Sequence, residues 1–277
     1  MFPAIKPLRP NVARANVAFY SMLGIVVIFP ILALINFYNA GQYEEYASGG
    51  VVSTALNYAK ILNADRIVRL VLLVKNLFYI ANYILFLMWF YRGYSNYRNI
   101  SQDAAKGKAW SIIAWFVPIA NLFIPYQMVR EMGEGNFKVL KGFPDSAKKR
   151  LITKDGLTRL TGWWWGTLIG MSIVVQFMVV GDEAKTITEV IHEVRMNAWG
   201  SVLMVLPGIV AALFIKRFHA VEQNVFEIWE SGEFEERRQA WMEKKAGQNN
   251  SGKEGTWYKA PSEEKVEDTA HNDPFTS

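Results

Sequence analysis

The run AWSIIAWFVPIANLFIPYQM, residues 109 to 128, holds two prolines and an asparagine inside an apolar stretch, and it constrains the fold more than any other feature. At 1.5 Å per residue it matches a hydrocarbon core of about 30 Å, so by length it can cross a bilayer. Both its flanks are basic, however, with Lys106 and Lys108 before it and Arg130 after it. Short loops rich in Lys and Arg collect on one side of a membrane, and a crossing segment separates two sides.

The remaining apolar blocks place this segment among neighbours. Spans are expected at about 17 to 37, 70 to 91, 161 to 180 and 199 to 215. The first block is too long for the apolar core of a signal peptide and ends in INFYNAG, a poor cleavage site, so it reads as a retained span. Pro30 is expected to kink it. Residues 38 to 65 read as a mildly acidic connection that opens with a turn-rich stretch around Gly49 and Gly50 and closes with a helical lead-in. Asn76 and Asn82 in the second span are expected to bond to neighbouring helices. Mean hydropathy is only +0.08 because the polar C-terminal part offsets these blocks.

Charge then orients the chain. Residues 129 to 160 carry eight basic side chains against four acids, and residues 181 to 198 carry four acids against two basic side chains. If residues 109 to 128 crossed fully, the basic loop would lie outside and the acidic loop inside, against the usual bias. Entry and exit on the cytoplasmic side put both loops where the bias favours them. Pro118 cannot donate to the carbonyl of Ala114, nor Pro125 to that of Asn121, so helical continuity fails twice. The expected architecture is therefore an all-α polytopic integral membrane protein with four transmembrane helices and one Pro-rich re-entrant hairpin, turning near Pro118 to Asn121. A kinked fifth span is the first alternative. A flat interfacial helix is the second, although the segment lacks the polar face that such a helix needs.

Other segments follow from this frame. Residues 1 to 16 form a basic cytoplasmic N-terminus with no regular helix before about Asn11. Arg92 and Trp163, Trp164 and Trp165 read as interfacial anchors, the tryptophans forming a belt at headgroup depth. Ile187, Val190, Ile191 and Val194 recur at helical spacing and predict a short amphipathic helix on the outer surface. Residues 217 to 245 predict a cytoplasmic amphipathic helix broken near Ser231 and Gly232. Residues 246 to 277 are polar and poor in aliphatic side chains, the composition of a disordered tail.

The chemistry these residues exclude is broad. There is no cysteine, so no disulfide, thiolate nucleophile or cysteine-ligated metal. None of the five apolar blocks contains Asp or Glu, which argues against carboxylate-driven ion coupling and intramembrane aspartyl proteolysis. His192 and Glu193 begin like a zinc-protease helix, but Met196 stands where the second histidine belongs. His219 reads as a surface histidine. No nucleotide-binding or hydrolase fingerprint occurs, and neither catalytic, cofactor nor metal residues are expected.

The motif Trp115-Phe116-Val117-Pro118-Ile119-Ala120-Asn121, followed by Pro125-Tyr126 and the pair Arg130-Glu131, resembles a bacterial family of multi-span membrane proteins known as domain of unknown function 4328. The end of the second span, Trp89-Phe90-Tyr91-Arg92 with Asn96, and the tryptophans at 163 to 165 add to the resemblance, which extends over roughly residues 15 to 230. One departure is Gly133, where a large residue is expected. The family has no assigned activity, so the resemblance implies a membrane location and architecture and no reaction.

The function expected is that of a non-enzymatic membrane scaffold or partner-binding protein in the bacterial cytoplasmic membrane, with both termini cytoplasmic. The alternative is a small channel or permease in which Asn121 and the carbonyls freed by Pro118 and Pro125 line a polar path. The partners expected are the lipid bilayer, a cytoplasmic protein bound through the tail, and a further copy of the chain. Nucleic acid is not among them. Candidate functional residues are Trp115, Pro118, Asn121, Pro125, Tyr126, Arg130 and Glu131.

Overall fold

The computed structural model describes residues 7–48, 54–101, 104–143, 152–179, 186–237 and 239–240, with the backbone alone at 54–57 and 179. The main elements are α1 (Val12–Ser48), α2 (Thr54–Ile100), α3 (Trp110–Ile113), α4 (Pro118–Gly142), α5 (Lys154–Val179), α6 (Ile187–Leu203) and α7 (Val205–Glu230). Among the described residues there is no strand. α1 packs against α2, α6 and α7, α5 packs against α4, α6 and α7, and α4 bridges α2 and α7. The expected tail, 246 to 277, lies outside the described residues, as does the end of the segment 217 to 245.

Three helical stretches are long and apolar enough to cross a membrane: Val12–Ser48, Tyr58–Ile100 and Ile187–Glu230, the last comprising α6 and α7. Their outward faces are correspondingly apolar. Exposed large apolar side chains run from Val12 to Tyr38 on α1 and from Tyr58 to Tyr91 on α2. These runs cover about 39 and 50 Å of helix, more than a hydrocarbon thickness of about 30 Å. On α5 such side chains run from Trp163 to Phe177, and on α6 and α7 from Trp199 to Leu213.

The helices overrun these apolar bands. α1 has 37 residues and α2 has 47, or about 55 and 70 Å. The connection expected at 38 to 65 is thus largely helical, up to Ser48 and again from Thr54. Cross-helix contacts fasten the overhang. Lys60 Nζ lies 3.1 Å from Glu45, Arg195 lies 2.5 Å from Glu44, and the Tyr43 hydroxyl donates to the Asp65 carboxylate. Burial, and then Asp65, hold the Tyr43 phenol well above its ordinary pKa. Pro30 sits inside α1 without ending it.

The segment expected as a short surface helix before the last span is instead the beginning of that helical stretch. Thr186 caps α6 by a capping box, its hydroxyl accepting from the Glu189 N–H at 3.3 Å while Glu189 accepts from the Thr186 N–H at 3.2 Å. α6 and α7 are divided only at Met204. Pro207 has no N–H to donate to the Leu203 carbonyl, which accounts for the interruption. α7 ends where the sequence predicts a break. The Gly232 φ of 87° supplies the left-handed residue of a helix terminus, and its N–H donates to the Trp229 carbonyl at 3.2 Å.

The largest fully buried side chains cluster at the end of the bundle bearing Arg92. Trp89, Phe90 and Tyr94 of α2 meet Met128, Met132 and Leu140 of α4 and Phe214, Phe218 and Val221 of α7, all buried. Gly133 stands inside this core, where a Cβ would meet Leu157 and Phe218 at 3.6 and 3.7 Å, so the small residue lets α4 approach both α5 and α7. At Gly135 the fit is closer, because a Cβ would fall 2.1 Å from the Tyr97 ring. Gly135→Ala is therefore expected to lose roughly 1 to 3 kcal/mol by overpacking, despite a helix preference for alanine of about 0.5 to 1 kcal/mol. Gly162→Ala, with nothing within 4 Å of the added carbon, serves as the control. Thermal unfolding in micelles should lower the midpoint of the first variant alone.

Candidate functional site

The segment 109 to 128 is built from two unequal arms. α3 is four residues long, and the chain then turns through Ala114 to Val117 before α4 begins at Pro118. The turn therefore precedes Pro118 and does not occupy Pro118 to Asn121. Tight i to i+3 bonds carry it, from the Trp115 N–H to the Ile112 carbonyl at 3.1 Å and from the Phe116 N–H to the Ile113 carbonyl at 3.0 Å. Pro118 stands at the first position of α4, where its missing N–H would have had no intrahelical acceptor and its fixed φ suits the helix. Asn121 falls in the first turn of α4, its N–H donating to the Val117 carbonyl at 2.8 Å.

Pro125 is inside α4 and buried, and it removes a backbone donor there. A proline also loosens the adjoining turn. The carbonyl of Leu122 accepts a hydrogen bond from Trp165 Nε1 at 3.1 Å. Tyr126, one residue beyond Pro125, stacks on the same indole with centroids 6.4 Å apart and planes at 30°. Trp165 thus fastens α5 to the proline-containing turn by a polar bond and a ring contact at once.

An aromatic seat holds the turn. Trp115 meets Phe86 edge to face at 5.2 Å, Phe90 at 5.9 Å and Trp165 at 5.9 Å, while its carbonyl accepts from the Tyr83 hydroxyl at 3.4 Å. Trp164 stacks on Phe214 at 4.3 Å with planes only 8° apart. Trp164 and Trp165 are therefore core side chains, 2% and 9% exposed, whereas Trp163 is 69% exposed. Successive residues on a helix diverge by about 100°, so a tryptophan triplet cannot all face one way. The expected belt is reduced to Trp163.

The two flanks of the segment meet. Glu131 accepts from the Ala105 N–H at 2.7 Å, and Lys106 Nζ donates to Gln127 at 3.2 Å. The hydroxyl of the buried Tyr94 donates to the Lys106 carbonyl at 3.1 Å. Arg130 pairs with Glu134, at 2.9 Å, and not with its neighbour Glu131. Residues four apart share a helix face and adjacent ones do not. Arg92 is partly buried, with Nε lacking a partner among the described residues.

A second polar cluster was not expected from the sequence. The N-terminal segment lies along α2, with the Arg9 N–H donating to Asn96 at 3.1 Å, Asn96 Nδ2 to the Arg9 carbonyl at 2.8 Å, and Asn99 Nδ2 to the Pro7 carbonyl at 2.9 Å. Asn11 Nδ2 reaches the Glu222 carboxylate at 3.0 and 3.1 Å and the Trp89 carbonyl at 3.2 Å. His219 Nδ1 lies 3.5 Å from Glu222, so this histidine is engaged inside the fold. The signal was present: Phe218, Glu222 and Val225 follow one helical face, so a carboxylate interrupts a buried stripe. Among the described residues no group of three or more His, Asp or Glu side chains is placed to hold a metal ion.

The fold and this seat define a class, an α-helical protein with helices long and apolar enough for a membrane. The chain belongs to the family described as Domain of unknown function (DUF4328), whose model matches residues 52–220, more than half its length. The match covers the aromatic end of α2, the turn, α4 and the tryptophans of α5, but not α1. Neither the curated proteins nor the solved structures contain a match.

Proposed function

We propose that the chain is a four-span protein of the bacterial cytoplasmic membrane that acts as a non-enzymatic scaffold, with α1, α2, α5 and the α6–α7 stretch as its spans. Residues 109 to 128 form a re-entrant hairpin on the cytoplasmic side. The observation that carries this reading is the meeting of Ala105 and Lys106 with Glu131 and Gln127, because a crossing segment would hold its ends about 30 Å apart. The deepest ring contact between the hairpin and α2, between Tyr83 and Phe116, supports the same placement. Tyr83 is eight residues from Tyr91, or about 12 Å, well short of full depth.

Below the inner ends of the spans, α2, α4 and α7 continue into the packed core around Tyr94, Met132 and Phe218. This ordered head would present a protein-binding face on the cytoplasmic side, with the C-terminal tail extending the contact. The surroundings of the hairpin favour a scaffold over a channel. Pro118 opens α4 and so leaves no interior gap, and aromatic rings surround Trp115.

Two outcomes test this function. Purified protein reconstituted with entrapped pyranine should relax a proton gradient no faster than empty vesicles, and a flux abolished by Asn121→Leu would establish a channel. In cells, truncation after Lys245 should remove a crosslinked cytoplasmic partner while leaving the membrane domain folded. Retention of that partner would assign the contact elsewhere.

A further inference from the structure

Three arginines are brought together where the N-terminal segment lies on α2. Asn96 bonds both the N–H and the carbonyl of Arg9, and Asn11 bonds the Trp89 carbonyl. Arg92 follows Trp89 by three residues and precedes Asn96 by four, so it shares their side of α2. Arg9 is thereby fixed beside the face that carries Arg92, and Arg14 stands three residues after Asn11, in the first turn of α1. Burial, and then the charges of Arg14 and Arg9, hold the Arg92 guanidinium below its ordinary pKa. Arg9 is exposed, and Arg14 and Arg92 are half-buried.

No carboxylate balances this cluster. None of the three arginines forms an ion pair or a side-chain hydrogen bond among the described residues. Glu222, which Asn11 also contacts, is engaged by that amide and lies beside His219. The Arg92 Nε is enclosed, whereas Nη1 and Nη2 are accessible and without a partner among the described residues. Like charges held together repel, and an anion between them offsets that cost. The guanidinium fork matches phosphate in particular, with paired N–H donors meeting paired oxygens. Position along the helices selects the source of the phosphate. The exposed apolar bands begin at Val12 on α1 and end at Tyr91 on α2, so all three arginines lie within three residues of a band edge. That is headgroup depth in the membrane placement proposed above, on which the choice of a lipid rests.

We propose that Arg9, Arg14 and Arg92 together bind one phosphate group, that of an anionic phospholipid in the cytoplasmic leaflet. Native mass spectrometry of the full chain, released from nonionic micelles doped with phosphatidylglycerol or phosphatidylcholine of the same acyl chains, counts the lipid retained. It requires neither a topology nor a protein partner, so its outcome is separate from that of the scaffold reading. One phosphatidylglycerol per chain should bind roughly five- to thirtyfold more tightly than phosphatidylcholine, the effect of one to two basic side chains at about fivefold each. Arg92→Gln should lower that preference roughly fivefold, and Arg14→Gln, on another helix, should do the same if the first variant does not fold. Lys141→Gln, an exposed cation outside the cluster, should leave it unchanged. Equal affinities for the two lipids, or equal losses at 92 and 141, would overturn the proposal. Equilibrium dialysis with radiolabelled inorganic phosphate separates the two sources. Weak uptake is expected, whereas saturable binding lost in Arg92→Gln and not matched by phosphatidylglycerol would overturn the lipid assignment in favour of a soluble phosphate.

Discussion

Asn11→Leu is expected to destabilise the protein by roughly 2 to 4 kcal/mol, because it removes charge-assisted bonds and leaves a buried carboxylate poorly compensated. Glu222 is 6% exposed, and Asn11 Nδ2 lies 3.0 and 3.1 Å from its two oxygens. The same amide reaches the Trp89 carbonyl, so the change also loosens the N-terminal segment from α2. Asn11→Leu combined with Glu222→Leu should recover most of the loss, since an apolar replacement of both partners leaves no buried charge. Denaturant titration of the two single variants and the double variant measures the coupling. Additive losses would show that Asn11 and Glu222 do not depend on each other.

Trp164→Ala should cost roughly 3 to 5 kcal/mol, the range for deleting a large core ring, whereas Trp163→Ala should stay within about 0.5 kcal/mol of the unaltered protein. The two side chains are adjacent in sequence and opposite in environment. Trp164 stacks on Phe214 and contacts Phe86, while Trp163 faces outward. Thermal unfolding of both variants in the same micelles measures the contrast. Equal losses at 163 and 164 would contradict the orientation of α5.

These variants also mark what the sequence made legible. Apolar runs and flanking charges located the helices, since a lipid-facing helix needs only length and hydropathy. The outward apolar bands on α1 and α2 contain the expected spans and end close to them, but begin earlier, at Val12 and Tyr58. Helix ends outside those bands were less legible. α1 and α2 overrun because Tyr43, Glu44, Glu45, Lys60 and Asp65 find partners on other helices, a tertiary effect that local pattern does not contain.

At the candidate site, the prolines announced a break but not its register. Pro118 starts α4, and Pro125 is accommodated within it, because the four residues before Pro118 make the turn. Trp164 and Trp165 have the composition of an interfacial belt, and only knowledge of which helices flank α5 turns them inward. Glu222 could have been found from the helical face it shares with Phe218 and Val225. Its partner Asn11 is 211 residues away in sequence, and no local rule pairs them.

The most direct test of the central claim is thiol accessibility in intact cells, since the chain has no native cysteine. Single cysteines at Ala105, Lys141 and Thr188, all exposed, would be treated with a membrane-impermeant maleimide before and after permeabilisation. A re-entrant hairpin predicts that positions 105 and 141 react only after permeabilisation, whereas position 188 reacts in intact cells. Labelling of position 141 from outside while position 105 remains protected would make residues 109 to 128 a crossing span and contradict the account.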